Sequence, residues 1–346
     1  MLNKTILRFA RTWALPLLAV LFLASCQKMG PIPPPWKNQA KKKTIWEVAS
    51  SDGRFSLLKA AVARTGLVPA LNDKKANLTV FAPTDDAFRA AGFRTVSDIA
   101  KAPVDVLKAI LLYHVVGDEV FAAEIPQASN TPVPSLNGQP LYVTRTSAGN
   151  VFINGVKVII ADIDCSNGVI HVVDRVLIPA PGNIVALASG NTNLSFLVAA
   201  VLRAGATGTN VAAILSSDGP FTVFAPTNQA FAAAGLTSVE VINNTDPGFL
   251  LNVLAYHVIV GARVFSSDLV DGDDVPTFQG STLEISLGSG ARVKGNANGT
   301  ASNITITDLL ATNGVVHVID PIHSTTHSIL FIFCLSILLQ KENLAS

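Results

Sequence analysis

The residues of this 346-residue chain most able to do chemistry are its six histidines and three cysteines, and four of the histidines come as two pairs of matching positions. His114 follows Tyr113 and His257 follows Tyr256, each among apolar neighbours, while His171 and His317 stand inside the β-rich runs Val169 to Val173 and Val315 to Ile319. An imidazole can bind a metal or exchange a proton near neutral pH. A histidine enclosed by apolar side chains more often has its ring nitrogens satisfied by backbone or hydroxyl groups, and that structural role is the expectation for all four and for the two tyrosines beside them. Serine-nucleophile elbows, phosphate-binding glycine loops, His-Glu-x-x-His and Cys-x-x-Cys spacings do not occur. No enzyme activity, cofactor or metal site is therefore expected.

The cysteines divide by position. Cys165 has Asp162 and Asp164 close by, whose charge disfavours a thiolate, so it reads as inert. Cys26 ends a different pattern: three basic residues before position 12, an apolar run from Thr12 to Ala24, then Leu23-Ala24-Ser25-Cys26. That is the form of a secretory leader over 1–25, and its apolar run of about 13 residues is shorter than the roughly 20 needed to cross a bilayer. Small residues before the cysteine resemble the lipobox of bacterial lipoproteins, in which the thiol takes a diacylglycerol and becomes the new N-terminus. Two or three acyl chains on Cys26 would anchor the protein stably where one would not. Gln27 in the next place resembles the outer-membrane sorting pattern, so the expected location is an exported, lipid-anchored protein of the cell envelope, at the outer membrane or cell surface.

Residues 26–43 hold Gly30-Pro31-Ile32-Pro33-Pro34-Pro35, a run that favours a semi-rigid extended stalk, closed by Lys41-Lys42-Lys43. Formal net charge is +1, and loss of Lys4, Arg8 and Arg11 with the leader takes it to about −2 (+1 less 3), which gives no electrostatic footprint for nucleic acid. With 49% hydrophobic and 14% charged residues the remainder is folded material, long enough for two domains.

An internal repeat organises it. Thr79-Val80-Phe81-Ala82-Pro83-Thr84 returns unchanged as Thr222 to Thr227, and Tyr113-His114-Val115 returns as Tyr256-His257-Val258, both at an offset of 143 residues. Asn167-Gly168-Val169 with His171 returns as Asn313-Gly314-Val315 with His317, three residues later than that offset requires. A period so long marks a duplicated domain, not a solenoid unit. The ordered motifs Thr79 to Phe88, Tyr113-His114 and Asn167 to Pro179, found twice, resemble the fasciclin family. The resemblance implies two tandem α+β domains, at 44–180 and 183–321, each a β-sheet wedge or sandwich with packed helices. It also implies a role in cell adhesion or matrix contact outside the cell, and in some animal members the Tyr-His neighbourhood is implicated in receptor contact.

The elements that must position these residues are partly readable. Apolar residues at helical spacing from Phe55 to Val62, stopped by Gly66, predict a helix, and Val104 to Leu112 predicts another that delivers the chain into Tyr113-His114. Thr84 is placed to cap a helix after the strand Thr79 to Phe81, with Asp85 and Asp86 at its positive end. A metal or acid/base pair there is disfavoured because the second copy has Asn228 and Gln229. Asn154-Gly155 predicts a hairpin between Val151 to Ile153 and the run from Val156, and Val176 to Ile178 predicts a closing strand. The second copy departs at that point, with Pro321 and then an apolar run from Ile329 to Leu339, so residues 322–346 form an atypical tail of the kind an altered translation frame or gene model produces. The expected function is a surface adhesion or presentation module making weak multivalent contacts with matrix, cells or glycans, through an unnamed protein or glycan partner. The alternative is a carrier of an apolar or carbohydrate ligand beside an outer-membrane uptake system.

Overall fold

A computed structural model describes residues 41–288, 290–295 and 301–320. Cys26, the expected leader, the expected stalk as far as residue 40, Cys334 and the residues after Asp320 lie outside the described residues. The first domain begins with three short helices, α1 (Ile45–Ser51), α2 (Ser56–Arg64) and α3 (Val68–Asn72), followed by strand β1 (Leu78–Pro83). Helices α4 (Asp85–Ala90), α5 (Val96–Lys101) and α6 (Val104–Tyr113) come next, and then strands β2 (Val115–Val116), β3 (Thr131–Pro134), β4 (Pro140–Arg145), β5 (Val151–Ile153), β6 (Val156–Cys165) and β7 (Gly168–Val173).

The second domain repeats the order. Its helices are α7 (Ile184–Ser189), α8 (Ser195–Ala204) and α9 (Val211–Ser216), then β8 (Phe221–Pro226), then α10 (Asn228–Ala233), α11 (Val239–Asn244) and α12 (Pro247–Tyr256). Its remaining strands are β9 (Val258–Val260), β10 (Asp274–Pro276), β11 (Thr282–Ser286), β12 (Arg292–Gly295), β13 (Ser302–Ala311) and β14 (Gly314–Asp320). The α+β expectation holds in both copies.

Each domain has one seven-stranded sheet, ordered β2-β1-β7-β6-β5-β4-β3 in the first and β10-β11-β12-β13-β14-β8-β9 in the second. The pairs β1 with β7 and β8 with β14 are parallel, and the other pairs are antiparallel. Strand β7 is therefore central and buried on both faces. Ile170 and Val172 pack with Phe55, Leu58, Val62 and Phe88 under the helices, while Val173 packs on the other side with Phe81, Leu141 and Ile153. That two-sided burial explains why β7 reads as an unbroken apolar run interrupted only by His171.

Helix starts follow side-chain caps. Thr84 and Thr227 accept from Ala87 N and Ala230 N, satisfying first-turn amides as their residue type predicts. Asp85 does more than face a helix dipole: it is buried and accepts hydrogen bonds from Leu57 N, at 2.8 Å, and from the Ser56 hydroxyl, tying the start of α4 to the start of α2. Asn228 makes the same tie through Phe196 N and Ser195, so the place needs an acceptor and not a charge.

The predicted strand at Val176 to Ile178 is not one. The parallel ladder ends where Pro83 pairs with Val173 and β1 gives way to the Thr84 cap of α4, so the chain leaving β7 has no strand beside it on that side. It runs on without strand pairing, with Val176 and Leu177 buried. In the second copy β14, one residue longer than β7, pairs with β8 as β7 pairs with β1, and the departure expected after Asp320 lies outside the described residues.

The two domains dock directly. Arg175 of the first donates to the Asp308 carboxylate at 3.1 Å, to Thr307 and, within its own domain, to the Gly155 carbonyl. Asn130 donates to the Arg263 carbonyl at 2.7 Å and to Asp268, and the Arg263 guanidinium lies 4.0 Å from the centre of the Tyr142 ring. Phe265, Leu310 and Val315 of the second domain join the buried cluster of Leu141, Ile153 and Leu177 in the first. Asp308 is 3% exposed, so removing Arg175 strands a buried carboxylate that keeps only its Ser266 donors. Breaking a buried pair costs about 3–5 kcal/mol, but the Arg175 side chain is 41% exposed, which lowers the expectation to about 1–2 kcal/mol. Calorimetry of Arg175→Met is expected to show two separated unfolding transitions where the parent shows one; an unshifted single transition would mean the pair does not couple the domains.

Candidate interaction surface

The tyrosines and histidines singled out by sequence are interior ties. Tyr113 donates to the Pro140 carbonyl and accepts from Asn154 Nδ2, both at 2.9 Å, and Asn154 in turn accepts from Tyr142 N. Burial pushes the Tyr113 hydroxyl pKa up, opposed by the Asn154 hydrogen bond. Tyr256 repeats the bond to the sheet, donating to the Thr282 carbonyl at 2.7 Å. His114 Nδ1 bonds the Ile110 carbonyl at 2.8 Å, and its Nε2 accepts from Leu177 N at 2.9 Å, which requires the neutral tautomer with its proton on Nδ1. Burial pushes its pKa down to about 4, against the pull of the Ile110 carbonyl. His257 bonds the Val253 carbonyl at 2.7 Å and is lowered by burial in the same way.

His171 and His317 carry the opposite tautomer. Their Nε2 atoms donate to the carbonyls of Val120 and Val264, and their Nδ1 atoms accept from the amides of Asp162 and Asp308. They stack on Phe81 and Phe224 at 5.6 and 5.4 Å. Both pKa values are lowered, first by burial, and for His171 the Val120 hydrogen bond and the Asp162 carboxylate 3.9 Å away oppose that shift. The rings of His114, His171 and His317 thus bridge elements through both nitrogens, and His257 is tied back to α12 through Nδ1. Among the described residues no group of three or more His, Cys, Asp or Glu side chains could hold a metal ion. Cys165 is buried, and its pKa is pushed up to about 11 by burial and then by Asp164 and Glu119.

Asn167 has a larger role than the turn its sequence suggests. Its side chain accepts from Ile45 N at 2.8 Å and donates to the carbonyls of Leu71 and Asp73, joining the start of α1 to the end of α3. Asn313 does the same with Ile184 N, Leu215 and Ser217.

What faces solvent beside the Tyr-His segment is a pair of residues that sequence reading passed over. Leu136 N donates to the Val115 carbonyl at 2.8 Å, and Phe278 N donates to Val258 at 2.7 Å. Each sits in a tight turn closed by a hydroxyl, Ser135 to the Gln139 carbonyl and Thr277 to Ser281. The pinned backbone holds the side chains outward, Leu136 at 48% and Phe278 at 51% exposure. Val260, at the end of β9, is also exposed. Single exposed apolar residues are ordinary, but the same position exposed in both copies is a repeated display. The available signal was Leu136-Asn137-Gly138 against Phe278-Gln279-Gly280, an apolar residue set just before a turn in each copy.

Comparison with known proteins fixes the class. The fasciclin domain matches residues 53–179 and again 193–322, well over half of the chain, and the chain belongs to the fasciclin family. It is similar to protein sll1483 of Synechocystis sp., 44% identical over 137 residues that make up 39% of this chain and 73% of that protein. It is also similar to transforming growth factor-beta-induced protein ig-h3 of Sus scrofa, 29% identical over 245 residues, 70% of this chain and 34% of that protein. The chain thus spans about a third of the length of ig-h3. A solved FAS1 domain pair from the insect cell adhesion molecule Fasciclin I covers 82% of this chain and 97% of its own, with 18% identity and a TM-score of 0.37. No helix among the described residues is long and apolar enough to cross a membrane.

Proposed function

We propose that this chain is a non-catalytic adhesion module, exported and held at the cell envelope by lipid on Cys26, that makes weak contacts with a protein or glycan surface through its two repeated apolar edges. The observation that carries the reading is the outward display of Leu136 and Phe278 at matching positions beside a buried and fully engaged Tyr113-His114 tie. Membership of a family associated with adhesion supports it. Two linked weak sites raise overall affinity by roughly 10²–10⁴ over either alone, so weak edges suffice if both engage together.

The test is attachment of cells displaying Leu136→Glu, Phe278→Glu and the double variant to matrix- and glycan-coated surfaces. Avidity predicts that each single variant loses attachment by about tenfold or more, with the double variant little worse. Melting temperature is expected to stay within the range of about 0.5 kcal/mol typical of surface changes. Cys26→Ala is expected to release the protein into the medium and abolish attachment. Undiminished attachment of the double variant would sink the assignment of these edges.

A further inference from the structure

Duplication has left the two domains with the same niche in different states. In each copy it lies under the first three helices against the central strands, and the anchors are equivalent, because Ile45 N and Ile184 N bond the matching Asn167 and Asn313. That correspondence sets Trp46 of α1 opposite Val185 of α7, Leu58 opposite Leu197 and Leu71 opposite Leu215. In the first domain the niche includes Trp46 and Leu112 in its wall and is reduced to about 50 Å³. In the second, Val185 stands in place of the indole, Ala255 in place of Leu112, and a cavity of about 190 Å³ opens between α7, α8, α9 and α12.

The lining chemistry limits the occupant. Val185, Val198, Val201, Leu215 and Leu254 make the wall branched and aliphatic, with His257 the one ring among the residues that line it. Ser189 and His257 are the only polar side chains among the lining residues, so most of the wall offers water none of the two to four polar partners it needs, whereas an apolar cavity of about 150 Å³ accepts benzene. The space suits a ligand slightly larger than that, about the size of a short alkyl chain. Its rim on α8 is apolar too, with Leu202 at 68% exposure, so a chain can enter with its polar end left in solvent. Leu202 both lines the cavity and is exposed, which sets this niche apart from a sealed packing defect.

We propose that the second domain binds one short unbranched alkyl segment in this cavity, and that Trp46 closes the corresponding site in the first. The segment belongs either to a free small amphiphile or to the end of a membrane acyl chain. The site does not depend on the adhesive edges, and either reading can fail without the other.

The experiment is methyl NMR on the full chain carrying Cys26→Ser, so that no attached acyl group competes, titrated with 1-hexanol. Saturable shifts are expected at the methyls of Val185, Val201 and Leu215 and not at Val62 and Leu71 of the first domain. Val185→Trp should weaken binding by at least about tenfold, a change in dissociation constant that the titration reads directly. Trp46→Val should create new saturable shifts at Val62 and Leu71. This gain arm keeps the proposal falsifiable if Val185→Trp does not fold. Flotation with phosphatidylcholine vesicles separates the sources: association lost in Val185→Trp assigns the acyl chain of a bilayer, and hexanol binding without association assigns a free amphiphile. Equal shifts in both domains, shifts that survive in folded Val185→Trp, no gain in folded Trp46→Val, or no saturable shift at all would overturn the proposal.

Discussion

Gly168→Ala is expected to destabilise the first domain by about 4 kcal/mol, a large fraction of the roughly 5–15 kcal/mol that holds a domain folded. Gly168 has a φ of +138°, and a Cβ added to it would stand 1.9 Å from the Leu78 carbonyl oxygen. Leu78 and Gly168 are the first pair of the parallel β1–β7 ladder, so neither backbone can retreat without opening the centre of the sheet. The backbone conformation costs about 1–3 kcal/mol for a residue with a side chain, and relieving the overlap costs a similar amount. Gly66→Ala is the control: its φ is +71° but nothing lies within 4 Å of the added carbon, so only the conformational cost of about 1 kcal/mol applies. Urea unfolding of the two variants checks the difference. Equal losses would show that the close approach of β1 and β7 does not decide the effect.

Acid is expected to unfold this protein from pH 6.5 downward, because four buried histidines must stay neutral. The sign follows from proton binding. His114 is pushed down to about 4 in the folded chain against 6.5 when exposed, so above 6.5 it is neutral in both states and its folded contacts are intact. As pH falls below 6.5 the unfolded chain takes up a proton that the folded chain refuses, and stability drops by about 1.4 kcal/mol per pH unit for each such group. For His114 the loss levels off near pH 4, after about 3 kcal/mol. His171, His257 and His317 are lowered in the same direction and steepen the fall. Carboxylate protonation adds to the loss only toward lower pH. The measurement is the denaturation midpoint against pH for the parent and for His114→Gln, whose curve should be shallower between 6.5 and 4. Parallel curves would show that His114 is not held neutral by its surroundings.

What was readable in the sequence was local. The stop of α2 at Gly66, the apolar face of α6, the Thr84 cap and the Asn154-Gly155 turn each rest on interactions within a few residues, and each stands where its residue types put it. The four histidines have apolar neighbours in sequence, and all four are buried. The closing strand expected at Val176 does not form because its would-be partner β1 ends at Pro83 opposite Val173, and where a distant partner strand ends is not written in the local residues. Asn167 looked like a turn residue because its partners at Ile45 and Leu71 lie 122 and 96 positions away.

The sequence alone determined that the chain holds one fold twice, because motif order and spacing survive in the linear record. It also determined the class of α2, α6 and the β5–β6 hairpin, because helix periodicity and turn type depend on near neighbours. Only the tertiary structure decided that β7 lies between β1 and β6, that Arg175 meets Asp308 across the domain boundary, and which apolar residues stay outside. The reason is physical: burial and pairing between distant segments follow from how the faces close on one another. Residue types restrict that closure, while the packed chain selects it.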